Sequence, residues 1–402
     1  MPVGRDPTAD AGPPYLMEGP EVLLGFVAGS RPVVRGHLGA ARPIHPRAAL
    51  AASLTNLVQN GPCLVSFSGG RDSSAILALA ADIARRRGLP LPVPFTLRYP
   101  AAPEANESAW QELVVRHLRL DDWEVIDVPP ESAELLGRVG TASLAAHGLM
   151  WPPAVHLDNT WLSHARGSTV ITGDGGDDMF GPRRATPLRS LVHLVHRYPS
   201  RLDRSVLRGA VKEALPVRAR AQLAYIKMKT ATDYPWLRSP FREEGLRLVA
   251  RWTTSEPFSW PKAIRSHAAQ PSLLRGLANR DWLAGHYGVR LAHPFLDPQF
   301  VEAWASSGWP LGYAGRTQAM SHLFGDLLPG EVLARSTKAI FNGAFNGWST
   351  RAFAQQWDGA GVDTSMVDIE QLRAAWLAER VPARTNALLQ AAWLASGQPV
   401  LY

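Results

Sequence analysis

An apolar run, Cys63-Leu64-Val65-Ser66-Phe67, breaks with no linker into Ser68-Gly69-Gly70-Arg71-Asp72-Ser73-Ser74. A strand that turns this sharply into small residues, with a helix beyond, belongs to parallel α/β architecture. The predicted helix covers Ala75–Arg87 and is closed by Gly88-Leu89-Pro90. A second apolar run (Val93–Tyr99), a helical stretch (Glu107–Leu120) and a third run (Trp123–Val128) follow. This alternation predicts a right-handed parallel unit. A fourth run, Ser168–Thr172, opens into Gly173-Asp174-Gly175-Gly176-Asp177-Asp178-Met179-Phe180-Gly181.

Around this core the pattern changes. Residues 1–45 are rich in Pro and Gly and read as an irregular arm, with a short strand expected over the apolar patch Val22–Ala28. Helical periodicity begins at Pro46, with Ala49, Leu50, Leu54, Leu57 and Val58 on one face, and Asn60-Gly61-Pro62 ends it. From about residue 187 onward the periodicity is helical with Pro breaks, so a helical lobe is expected there. Residues 346–402 are set apart as a helical tail.

Composition excludes several classes of function. No stretch approaches the roughly 18 consecutive apolar residues of a membrane helix. The first residues carry no apolar signal core, so a cytoplasmic protein is expected. Cys63 is the only cysteine, which rules out an intramolecular disulfide and a multi-cysteine zinc site. The net charge of +7 is carried by arginine, since the lysines are only Lys212, Lys227, Lys229, Lys262 and Lys338. Those arginines read as scattered rather than as one basic tail. The excess suits an anionic substrate or an acidic partner, and equally a coding bias toward arginine.

The two glycine-rich turns carry the chemistry. In 68–74, glycines admit a polyanion to the backbone, and the amides of a helix start, the helix dipole and the serine hydroxyls supply donors to phosphate. Asp72 would repel phosphate unless Mg²⁺ lay between them, and Mg²⁺ favours carboxylate plus phosphate oxygens. The loop lacks the Gly-Lys-Ser/Thr ending of a Walker A sequence. In 173–178, Asp174, Asp177 and Asp178 repel one another, which a metal or cationic partner relieves. Both turns follow strands, whose carboxyl ends line the ligand crevice of a parallel sheet, so both should face one site. The alternatives are an ordinary strand–turn–helix corner and a solvated acidic turn.

These residues resemble the synthetase domain of the asparagine synthetase family, an ATP pyrophosphatase of the PP-loop, adenine nucleotide alpha hydrolase-like fold. Residues 68–74 match its Ser-Gly-Gly-x-Asp-Ser-Ser loop, and 173–181 match Gly-Glu-Gly-x-Asp-Glu-x-Phe-Gly with Asp for Glu twice. Phe95-Thr96-Leu97, His293-Pro294-Phe295-Leu296-Asp297 and Leu328-Pro329 resemble further elements in the family's order. So does Arg335-Ser336-Thr337-Lys338-Ala339-Ile340-Phe341, with one extra residue between Arg335 and Lys338. The resemblance covers 46–345, with the nucleotide core running to about 186. It implies a ligase that adenylates a carboxylate with Mg·ATP, releases pyrophosphate, and passes the acyl group to an amine with release of AMP. Carried over by motif, Ser68, Gly69, Gly70, Ser73 and Ser74 cradle pyrophosphate, while Asp72 and Asp177 bind Mg²⁺. Phe67, Leu97 and Gly173 line the nucleotide. Lys338 stabilises charge developing at the adenylate, and Asp174 stands where the family has a Glu important for the intermediate.

Full-length asparagine synthetases begin with a glutaminase domain whose N-terminal Cys is the nucleophile. Here Pro2 follows Met1, and Cys63 sits in a buried strand, so this chain is not expected to hydrolyse glutamine. The amine is then ammonia or an amino group of the substrate. The second option points to ring-closing members, the β-lactam synthetases and lasso-peptide cyclases. Trp151-Pro152-Pro153, Trp161-Leu162-Ser163 and the tail Gly361-Val362-Asp363…Leu388–Leu394 are similar to the cyclases. That resemblance implies a peptide carboxylate substrate, with a precursor peptide, a leader-binding protein and a protease as partners. Trp110, Trp123, Trp151, Trp161 and Trp348 are candidates to line a peptide groove, against core filling for most of them. The rival readings are an ammonia-dependent asparagine synthetase, a tRNA-modifying PP-loop enzyme and a non-catalytic scaffold. Neither nucleic acid nor a membrane is the expected partner.

Overall fold

The computed structural model describes residues 12–27, 29, 44–60, 63–197, 204–308 and 310–397. Most of the expected arm (1–11, 28 and 30–43) and the Gly61-Pro62 turn lie outside these described residues. The patch expected as a strand instead forms a short helix, α1 (Pro20–Leu24). Pro20 occupies its first turn, where a fixed φ and a missing N–H cost nothing, and Gly25 closes it in the left-handed conformation. Helix α2 (Pro46–Gln59) follows, again with Pro at its start.

Five parallel strands form the sheet: β1 (Cys63–Ser66), β2 (Val93–Arg98), β3 (Glu124–Asp127), β4 (Thr169–Ile171) and β5 (Arg290–Ala292). Their order is β3-β2-β1-β4-β5. Helix α3 (Arg71–Arg87) carries the chain from β1 to β2, and α4 (Ser108–His117) from β2 to β3. The chain then returns to the other side of β1 to lay down β4. Strand order therefore reverses between β1 and β4, and a crevice opens at their carboxyl ends. β5 adds beside β4 from a residue stretch too short to stand out in the sequence.

Helix α3 starts four residues earlier than its apolar pattern suggested. Gly69 takes φ 78°, and Gly70, in extended conformation, is the N-cap without any side-chain cap bond. Asp72, Ser73 and Ser74 thus sit in the first helical turn, where open amides and the dipole favour negative charge. Gly88 closes the other end in left-handed conformation, just past Arg85, Arg86 and Arg87.

The sheet is covered on both faces, as parallel sheets require. Cys63, Val65 and Phe67 pack with α2, α3 and the helices Pro298–Ser307 and Arg316–Phe324. Phe95 and Val170 pack on the other face with Met150, Trp161 and Leu283. A separate core unites Leu24 of α1 with Trp236 and Val249, and with Phe353, Trp376 and Trp393 from the C-terminal segment. Helices Thr186–Arg197, Arg204–Ala214 and Val217–Thr230 carry nine of the 42 Arg and Lys residues against one acid, Glu213. Among the described residues no helix is long and apolar enough to cross a membrane.

Candidate active site

A cavity of about 330 Å³ lies at the crevice between β1 and β4. Ser68, Gly70, Asp72 and Ser73 reach it from the first turn, and Gly173, Asp174 and Asp177 from the second. Lys338 enters from the segment after Arg335. The turns touch: a Cβ on Gly173 would lie 3.0 Å from the Ser73 amide nitrogen, and one on Gly176 would collide with the Asp72 carboxylate. The second turn is anchored from below by Phe180, buried among Phe295, Phe300, Trp304 and Phe324.

Asp72 and Asp177 clasp one guanidinium, that of Arg316, which hydrogen-bonds to Asp72 Oδ2 through Nη2 and to Asp177 Oδ1 through Nη1. Lys338 Nζ donates to Asp177 Oδ2 at 2.8 Å. Burial raises Asp177, but hydrogen bonds from Lys338 and Arg316 outweigh it and bring the carboxyl down to about 2. At Asp72 burial wins and the pKa rises despite Arg316. Asp72 Oδ1 is buried with no hydrogen-bond partner. Two carboxylates already neighbouring one cation, one with an orphaned oxygen, fit an ion such as Mg²⁺ that completes its shell with phosphate oxygens and water. Among the described residues no cluster of three or more His, Cys, Asp or Glu could hold a metal by protein ligands alone.

Asp174 has different company. Arg280 spans Asp158 (2.8 Å) and Asp174 (2.5 Å). His293 Nδ1 lies 3.4 Å from Asp174 Oδ2 and 2.7 Å from Thr172 Oγ1, while its Nε2 faces Asp281 at 3.1 Å. Burial opposes the Asp174 charge, but Arg280 and then His293 overcome it and hold the carboxyl well below the usual range. Burial likewise opposes charge on His293, and the two carboxylates reverse that, lifting the imidazole to about 9. Asp174 is a clamped anion.

Arg335 is buried: it pairs with Glu107, donates to the Gly69 carbonyl at 3.0 Å and lies over Trp110. It pins the Lys338 segment to the turn at 68–74, while the Lys338 side chain is 79% exposed. Arg71 lines the cavity and reaches the Leu333 carbonyl at 3.4 Å.

Other predicted residues stand further back. The Phe67 side chain is core, and its carbonyl accepts from Thr96 Oγ1 at 2.8 Å. Ser74 is fully buried, and Gly69 shapes the turn beneath Gln111. Leu97 lines a neighbouring hollow of about 310 Å³ that shares Glu107 with the main cavity. Cys63 is buried, which pushes its thiol up to about 11 and leaves it unreactive. Of the tryptophans considered for a groove, Trp161 is core, and Trp123 and Trp151 bond internally to Thr96 and Ser272. Trp110 is covered by Arg335, and Trp348 is 73% exposed. Reasoning from sequence missed Arg280 and Arg316. In an arginine-rich chain neither carries a motif, and the only available signal was Gly315-Arg316 opening a helix just before Leu328-Pro329.

A glycine-rich turn and an acidic turn thus meet at the switch point of a parallel α/β core of PP-loop type. The asparagine synthase family model matches residues 45–395, and the chain belongs to that family of ATP-dependent carbon–nitrogen ligases. The match takes in most of the C-terminal segment along with the nucleotide core. Among curated proteins, none matches this chain.

Proposed function

We propose that the chain joins a substrate carboxylate to an amine at the expense of ATP, forming AMP and pyrophosphate. The observation that carries this is the meeting of Asp72, Asp177, Arg316 and Lys338 over the open start of α3. The amides of the first turn, with Ser68 and Ser73, bind the phosphates to be released. Arg71 and Arg316 add positive charge beside them. Mg²⁺, held by Asp72 and Asp177, would supply charge neutralisation across phosphate oxygens. A carboxylate oxygen of the substrate attacks the α-phosphorus as the bond to pyrophosphate breaks. The amine then attacks the acyl carbon, AMP departs, and the amine loses a proton. Lys338 holds a fixed cation where negative charge builds on the acyl oxygen. Clamped by Arg280 and His293, Asp174 orients the incoming amine.

The acceptor we favour is an amine of the same molecule as the carboxylate, giving a peptide macrolactam. Support comes from the likeness of 151–153, 161–163 and the tail to lasso-peptide cyclases, which brings a precursor peptide, a leader-binding protein and a protease as partners. ATP–pyrophosphate exchange with candidate precursor peptides, beside AMP release with aspartate plus ammonium, tests this. Exchange with peptide alone supports the cyclase, and turnover of aspartate with ammonium makes the chain an ammonia-dependent asparagine synthetase. Salt-dependent tRNA binding would favour the nucleic-acid rival. Background exchange with every carboxylate would reduce it to a scaffold.

A further inference from the structure

We infer that Arg316 is a built-in placeholder for the divalent cation, so that the site accepts the metal only together with the triphosphate. This rests on the ligase reading above and concerns the order in which that site fills.

The geometry is direct. One guanidinium bridges the two carboxylates that would hold the metal, and both sides of the bridge are incompletely satisfied. Asp72 Oδ1 and Arg316 Nε are each buried without a hydrogen-bond partner. Buried polar atoms are rarely left so, and a cation beside Asp72 plus an anion beside Arg316 would satisfy both at once.

Charge points the same way. Within the cavity Glu107 is taken by Arg335 and Asp174 by Arg280. The remaining groups are Arg71, Arg316 and Lys338 against Asp72 and Asp177, a surplus of one positive charge. A divalent cation arriving alone would meet that surplus and would have to displace Arg316 with no anion to receive it. A triphosphate reverses both conditions. It draws Arg316 off the carboxylates and brings the negative charge that a metal needs. Arg316 begins a helix anchored by the buried Ala319, Met320, Leu323 and Phe324, so releasing its side chain from the carboxylates need not move the backbone.

The test titrates the full chain with Mn²⁺, read by electron paramagnetic resonance, without substrate and without turnover. Wild type should bind Mn²⁺ at least tenfold more tightly with the non-cleavable analogue α,β-methylene-ATP than without it. Arg316→Gln should bind Mn²⁺ at least tenfold more tightly than wild type when no nucleotide is present, and Arg316→Lys, which keeps the charge, should not. Equal nucleotide-free affinity in wild type and Arg316→Gln overturns the inference, as does tight nucleotide-free binding by wild type. Where Arg316→Gln fails to fold, tight nucleotide-free Mn²⁺ binding by wild type still overturns the inference, and Arg316→Met replaces Arg316→Gln as the variant expected to gain nucleotide-free affinity. Mn²⁺ binding in the nucleotide complex that is unchanged by Asp72→Asn also overturns the inference, whereas the ligase reading fails separately, through ATP–pyrophosphate exchange that stays at background with every carboxylate while the Mn²⁺ titrations come out as expected.

Discussion

Asp174 Oδ2 lies 2.5 Å from Arg280 Nη1, and the same guanidinium reaches Asp158 at 2.8 Å. One partly buried cation therefore ties the acidic turn after β4 to the helix Pro271–Gly285 and to the segment before β4. Removing Arg280 leaves Asp158 without its cation and Asp174 with His293 alone. Arg280→Gln should lower unfolding free energy by about 1–2 kcal/mol. Urea denaturation at pH 7 measures it, and a loss below about 0.5 kcal/mol would contradict a bridge that supports the fold.

His293 makes stability depend on alkaline pH. Folding lifts its imidazole to about 9, above the roughly 6.5 of an unfolded chain. The contribution is whole below the unfolded value and is lost as pH rises through the folded one. At its fullest it is of order 3 kcal/mol. Wild type should therefore lose more stability than His293→Gln between pH 7 and 10. Parallel denaturation curves for the two proteins would show that the imidazolium does not form.

Lys338 is exposed, so its loss should not disturb folding. Lys338→Ala should keep its melting temperature and its ATP affinity while turnover falls by about a hundredfold or more. An equal fall in ATP binding would move Lys338 from the reacting centre to the nucleotide.

Gly176 has no room for a methyl group, because a Cβ there would run into the Asp72 carboxylate. Gly176→Ala should push Asp72 out of line and abolish ATP–pyrophosphate exchange with little effect on global stability, since the helix Gly176–Phe180 stays anchored by Phe180. Exchange at wild-type rate would mean that the turns part more easily than their contact implies.

Much of this was legible in the chain. The run Cys63–Phe67 and the turn after it announce a strand feeding an anion-binding helix start, and 168–181 repeats that form with acids. Both signals are local, set by side-chain alternation and by residues one to four apart. The extent of α3 was less legible, because Arg71, Asp72, Ser73 and Ser74 look like turn residues until Gly70 is seen to be the cap. The short helix Pro20–Leu24 was misread because five apolar-rich residues carry no period that separates helix from strand.

From sequence alone came the parallel α/β class, the two turns and the family resemblance, since each depends on neighbours along the chain. Tertiary structure alone decided which charges meet. Arg316 reaches Asp72 across 244 residues and Asp177 across 139, and Arg280 reaches Asp174 across 106. Such pairings follow from strand order and helix packing, which bring together residues whose spacing holds no trace of the encounter. In a chain crowded with arginine, only the meeting with Asp72, Asp177 or Asp174 at the cavity distinguishes the few that matter.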